Sequence, residues 1–84
     1  MKLPLIKAIA IYSDEHNKDD ITATIAVLEH ISQARGLKPE ELDLIGELLS
    51  NLYGAVEVTK MVEEGQTQGE ALNGFMKRVL GSIN

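Results

Sequence analysis

No cysteine and no tryptophan occur among the 84 residues. A disulfide framework, a thiolate metal site and a thiol nucleophile are therefore excluded. Aromatic side chains are nearly missing as well: Tyr12, Tyr53 and Phe75 are all there are, too few for a base-stacking platform or an aromatic cage around a ligand. Basic residues are in deficit, eight against thirteen acidic, for a formal net charge of −5. A surface of that sign repels phosphate backbones and anionic lipid, which argues against nucleic-acid and membrane binding. Long apolar runs are absent too. Met1 to Tyr12 is apolar but broken by Lys7, is too short to span a bilayer and is followed by no small-residue cleavage site. It reads as folded structure, and the chain as cytoplasmic.

What is present is an ordinary globular composition, 44% hydrophobic and 25% charged, with an aliphatic core. A chain of this length forms a single small helical domain, residues 1–84, that buries about two-thirds of its unfolded surface. Pro4 stands where a first turn begins, and Leu5, Ile9 and Tyr12 then share one face with Ile6 and Ala10 beside it. This predicts a helix from Pro4 to about Ser13. The competing strand, suggested by Ile6, Ile9 and Ile11, has no second strand to pair with. Asn17 and Asp20 then give a capping signal for a second helix, from Lys18 or Asp19 to Arg35. Ile21, Ile25 and Leu28 form its apolar line, and Gly36 is its expected left-handed terminator.

Pro39 followed by Glu40 and Glu41 starts a third and longer helix, Pro39 to Glu64, although Lys38 is a poor cap. Two apolar seams run along it: Leu42, Ile45, Leu49, Leu52 and Val56, and beside them Leu44, Leu48, Ala55, Val58 and Val62. Together they cover about half the circumference, wider than the ~100° stripe of a surface helix, so this helix is central. Gly65 ends it, Thr67 with Glu70 forms a capping box for a fourth, and Leu72, Phe75, Met76, Val79 and Leu80 make the buried face before Gly81 terminates it. Fold class follows as all-α, a compact four-helix bundle with a long central third helix and short connections that favour antiparallel neighbours.

Within that third helix Gly46, Ser50 and Gly54 recur at four-residue spacing. Each interior glycine costs about 1 kcal/mol relative to alanine, and small residues four apart let another helix approach closely. The stripe lies at the edge of the polar arc, next to Tyr53, an aromatic with a polar tip suited to anchoring an interface, with Asn51 on the adjacent polar side. Gly46, Ser50, Tyr53 and Gly54 are thus the candidate interface of a homodimer. The alternative is that the glycines relieve crowding within one monomer.

The runs Glu41-Leu42-Asp43, Gly46-Glu47-Leu48, Asn51, Gly54-Ala55-Val56-Glu57-Val58 and Phe75-Met76-Lys77-Arg78-Val79-Leu80-Gly81-Ser82, with Leu3-Pro4 and Ile6-Lys7, carry a resemblance. The chain resembles a family of short uncharacterised bacterial proteins, a domain of unknown function, over nearly its whole length. The resemblance implies the company of thioredoxin-fold or peroxiredoxin proteins and a redox-linked accessory role. Without cysteine the thiol chemistry would belong to the partner. The resemblance implies no catalytic residues.

Other chemistry finds little support in the residues. Asp14, Glu15, His16, Asp19 and Asp20 are the densest set of ligand types, yet their spacing lacks the alternating acids, central glycine and distant glutamate of a calcium loop. Carboxylate-bridged dimetal bundles need Glu-x-x-His, and here Ser13 precedes His16 and Val27 precedes His30. His30, near a helix end, suits the helix dipole. Ser13, Ser32, Ser50 and Ser82 sit in no nucleophile turn, and Gly65, Gly69 and Gly74 lack the lysine of a phosphate loop. The expectation is a non-enzymatic, homodimeric protein-interaction or accessory module without cofactor or metal. Its competitor is a metal- or small-ligand-binding module using the acidic turn around His16.

Overall fold

A computed structural model describes residues 2–81 and the side chains of 2–79. Four helices follow in order, α1 (Leu3–Glu15), α2 (Lys18–Ile31), α3 (Pro39–Glu63) and α4 (Gln68–Gly81), and no strand occurs among the described residues. In α1 the buried residues Ile6, Ala10 and Ser13 recur every three or four positions, a period that only a helix places on one face. The β-branched isoleucines do not override it, because strand propensity is realised only against a neighbouring strand.

Capping follows the residues closely. Asn17 Oδ1 accepts the Asp19 N–H at 2.9 Å and opens α2. At α3 the lysine at the cap position is compensated from inside the helix: the Glu41 carboxylate accepts the Lys38 N–H at 2.9 Å. Thr67 and Glu70 make the reciprocal pair at α4, with Glu70 N–H to Thr67 Oγ1 at 3.2 Å and Thr67 N–H to Glu70 Oε1 at 3.0 Å. Gly65, at φ +109°, turns the chain out of α3.

Paired residues fix the directions of the helices. Lys2, at the start of α1, meets Glu47 and Asn51, whereas Lys18, at the start of α2, meets Glu63. Helix α1 therefore runs parallel to the second half of α3 and α2 runs back along it. Only residues 64–67 separate the end of α3 from the start of α4, and Phe75, two turns into α4, packs back on Gly54, so α4 is also antiparallel to α3. Consecutive helices alternate in direction, and α3 touches all three others. Helices α2 and α4 do not touch each other. The core accordingly splits in two. One cluster joins Ile6, Ala10, Ala55, Val58, Ala71, Leu72 and Phe75 from α1, α3 and α4; the other joins Ile21, Ile25 and Leu52 from α2 and α3. Ile9 packs against both. Each fully buried side chain such as Ile6 or Val58 contributes about 1.5–3 kcal/mol.

The outcome is a plate rather than the compact bundle expected. Its principal extents are 43 × 35 × 17 Å and its radius of gyration is 13.7 Å, against about 12 Å for a compact domain of this length. The reason is visible in α3. Lys2 N–H donates to Asn51 Oδ1 at 2.7 Å, which pins the start of α1 there, so the first third of α3 extends past α1. Leu44, on the same helical line as Asn51 and Val58, is 57% exposed while those two are at 0%. Leu42 and Val62 are exposed as well.

Three further expectations require correction. Helix α2 stops at Ile31, before Arg35, because Ser32 Oγ donates to Glu29 O at 2.6 Å and the N–H groups of Gln33 and Ala34 donate to His30 O and Ile31 O in tightened turns. Gly36 does adopt φ +85°, but in the connection and not at the helix end. Asn51, read as a neighbour of Tyr53 on the polar side, is fully buried. The side chain of Leu80, and the chain after Gly81 where α4 is expected to stop, lie outside the described residues.

Candidate functional site

The α1–α2 turn and the α3–α4 turn lie side by side at one end of the plate and enclose a groove of about 810 Å³. Its floor is Ala10, Ser13 and Val58, each buried. Asp14, Glu15 and His16 come from the end of α1, Thr59 and Val62 from α3, and Gln66 to Gln68 from the second turn. Lys18 Nζ donates to Glu63 Oε1 at 2.8 Å across the groove edge, and the Glu63 carboxylate raises the lysine pKa through that hydrogen bond. A second cavity of about 210 Å³ lies beyond this ion pair and shares Ser13, Lys18, Thr59 and Glu63 with the first.

The acidic cluster read from the sequence is divided by the fold. Asp14, Glu15 and His16 line the groove, and Asp19 lines the smaller cavity. Asp20 Oδ2 accepts the Tyr12 hydroxyl at 2.8 Å, which raises the Tyr12 pKa. The Tyr12 ring in turn stacks on His16 with centroids 4.5 Å apart. Among the described residues no group of three or more histidines and carboxylates is placed to hold a metal ion. His30 lies in the last turn of α2. Neither Ser32, spent on its own helix end, nor Ser50, half-buried in α3, is bonded to a histidine; Ser82 lies outside the described residues.

The four interface candidates stand in different surroundings. Gly54 is buried, and a Cβ there would stand 3.1 Å from Ile6 Cδ1 and 3.2 Å from Phe75 Cζ, so this glycine serves the contact of α3 with α1 and α4 inside the monomer. A Cβ at Gly46 would meet nothing within 4 Å. Tyr53 is exposed and its hydroxyl faces Glu29 of α2, whose carboxylate raises the tyrosine pKa through a hydrogen bond.

Large exposed apolar side chains instead fall into distinct groups. Tyr12 and Tyr53 are tied to α2 carboxylates by their polar tips. Ile11 and Val62 line the groove. Val27, Ile31, Leu42 and Leu44 are left outside both groups, 57%, 39%, 41% and 57% exposed. Leu44 continues the α3 line that α1 covers at Asn51 and Val58, and Val27 and Ile31 lie on the flank of α2 that faces α1 through Asp20 and Tyr12. Both lines therefore lie on the side of the plate that bears α1. Spacing alone could have flagged two groups missed in the sequence. Asn51 fills a position of the second α3 seam between Leu48 and Ala55, and Ser13 continues the line of Ile6 and Ala10.

The chain belongs to a family of unknown function, DUF6952, whose model matches residues 1–84. No curated protein and no solved structure matches it.

Proposed function

We propose, from membership of a family whose function is unknown, that the protein is a non-enzymatic homodimeric module and that its self-association face is the patch of Val27, Ile31 and Leu44. The observation that carries this reading is surface area. The chain exposes 5823 Å², where a compact 9.2 kDa monomer exposes about 4900 Å². The excess of roughly 900 Å² reflects the flat shape, which leaves apolar side chains uncovered, and a standard interface takes about 800 Å² from each partner. A second copy related by a two-fold axis presents the same apolar patch to itself, which is how most homodimers close. Of the small-residue stripe, Gly54 is buried inside the monomer, whereas Gly46 is open and lies two residues from Leu44. A further protein partner, of the thioredoxin-fold class implied by resemblance or another, would then dock on surfaces outside the dimer contact.

The absence of cysteine makes the test simple. Single cysteines at positions 27, 31 and 44 are introduced one at a time, with Asn73→Cys on the exposed side of α4 as reference, and mildly oxidised at dilute concentration. A disulfide-linked dimer from at least one patch variant, and none from the reference, is expected. Linkage no faster at the patch than at Asn73 would place the contact elsewhere or nowhere.

A further inference from the structure

Ser13 is only 9% exposed, and its hydroxyl is outside every hydrogen bond of the described residues. No fully enclosed side-chain polar atom lacks a partner, so this hydroxyl opens into the cavities it lines. A hydroxyl on a side chain this buried, with no carbonyl partner and opening into the groove, can donate to or accept from an occupant there. The charges beside it have a sign. Asp14 and Glu15 occupy the last turn of α1, which holds no basic residue. They stand at the negative end of the helix dipole, where carboxylates are disfavoured and cations favoured. Lys18 does not neutralise them, being engaged by Glu63 at 2.8 Å. Such a local conflict without internal compensation is characteristic of functional sites.

The remainder of the groove is not suited to a bare metal ion. Its walls include Ile11 and Val62, 37% and 36% exposed, above a floor of Val58 at 0%. No group of three histidines and carboxylates converges there. An occupant that brings its own N–H donors to Ser13, Asp14 and Glu15 and lays a short hydrocarbon body between Ile11 and Val62 matches both halves. The volume of about 810 Å³ lies within the ordinary range for small-molecule sites. We propose that the groove between the two turns binds a small aliphatic ammonium ion, its charged end at the carboxyl terminus of α1 and its alkyl part against Ile11 and Val62. This site lies at the opposite end of α3 from the proposed dimer patch, so either assignment can fail without the other.

Titration of the full chain with butylammonium and with 1,4-diaminobutane, followed through backbone amide shifts at constant ionic strength, tests the site. Saturable shifts confined to the two turns, around Ser13 to Lys18 and Gln66 to Gln68, are expected. Replacing Asp14→Asn and Glu15→Gln together should weaken the apparent Kd at least tenfold, and Ser13→Ala at least threefold, while thermal unfolding shows both variants folded. Non-saturating shifts, shifts spread equally over Glu40, Glu41 and Asp43, or the same shifts produced by sodium or magnesium chloride would overturn the proposal. Saturable binding that both variants retain at full strength would overturn it as well.

Discussion

Gly46 and Gly54 belong to one helix and stand in opposite surroundings, so substitution separates them. Both carry the helix-propensity cost of about 1 kcal/mol relative to alanine. A Cβ at Gly46 meets open space, whereas one at Gly54 meets Ile6 and Phe75 at 3.1–3.3 Å. Gly46→Ala should raise stability by up to about 1 kcal/mol, read from the urea midpoint at unchanged slope. Gly54→Leu should lower it by about 1–3 kcal/mol, the cost of overpacking a filled core; an unchanged midpoint would mean that Phe75 yields freely. Asn51 is the other residue on which the packing turns. Its side chain is fully buried, its Oδ1 accepts from Lys2 N at 2.7 Å and its Nδ2 donates to Glu47 O at 2.8 Å, both at the edge of the core. Asn51→Ala leaves the Lys2 N–H without its acceptor and should cost about 1–3 kcal/mol, with amide exchange accelerated first in the opening turn of α1. At this scale the sequence was legible wherever a residue's role is local, as at Pro39, Thr67 and Gly65. It was not legible at Asn51 and Gly54, whose partners Lys2, Ile6 and Phe75 are distant along the chain.

Helix α4 offers a test of capping through pH. Hydrogen bonds from Thr67 hold the exposed Glu70 carboxyl below its ordinary value of 4.5. A carboxyl lowered in the folded state contributes stability above its unfolded pKa and loses it as pH falls through the folded one. Wild type should therefore lose thermal stability more steeply than Glu70→Gln between about pH 5 and pH 3; parallel curves would show that the box contributes nothing. The alkaline limb has the opposite sign. Tyr12 and Tyr53, bonded to Asp20 and Glu29, are raised above 10.0, and Lys18, bonded to Glu63, is raised above 10.5. Their contributions are complete below those values and disappear as pH rises through the folded pKa. Tyr12→Phe should flatten part of the decline above about pH 10, measured by melting temperature. The same elements show where periodicity suffices and where it fails. All four helices follow from apolar spacing and caps, because both are local. The end of α2 does not, since Gln33 to Arg35 suit a helix equally well and the Ser32 hydroxyl, turned back onto Glu29 O, competes with its continuation.

For the whole molecule, the decisive property is shape. A plate 17 Å thick with separated clusters around α3 cannot bury both seams of its longest helix. Two seams on α3 were legible as a sign of centrality, yet their outer residues Leu42, Leu44 and Val62 stay exposed. The sequence pattern does not say whether a seam is covered by its own chain or by another, because both bury the same residues at the same spacing. Near Leu44 its own chain is unavailable, α1 being anchored at Asn51 by Lys2. A second copy is the cover the account requires. Light scattering on size-separated protein over a dilution series, for wild type and Leu44→Glu, tests this most directly. The account predicts a wild-type mass twice the 9.2 kDa of one chain and a Leu44→Glu variant that is monomeric with helicity unchanged; a wild type that is monomeric at every concentration would contradict it.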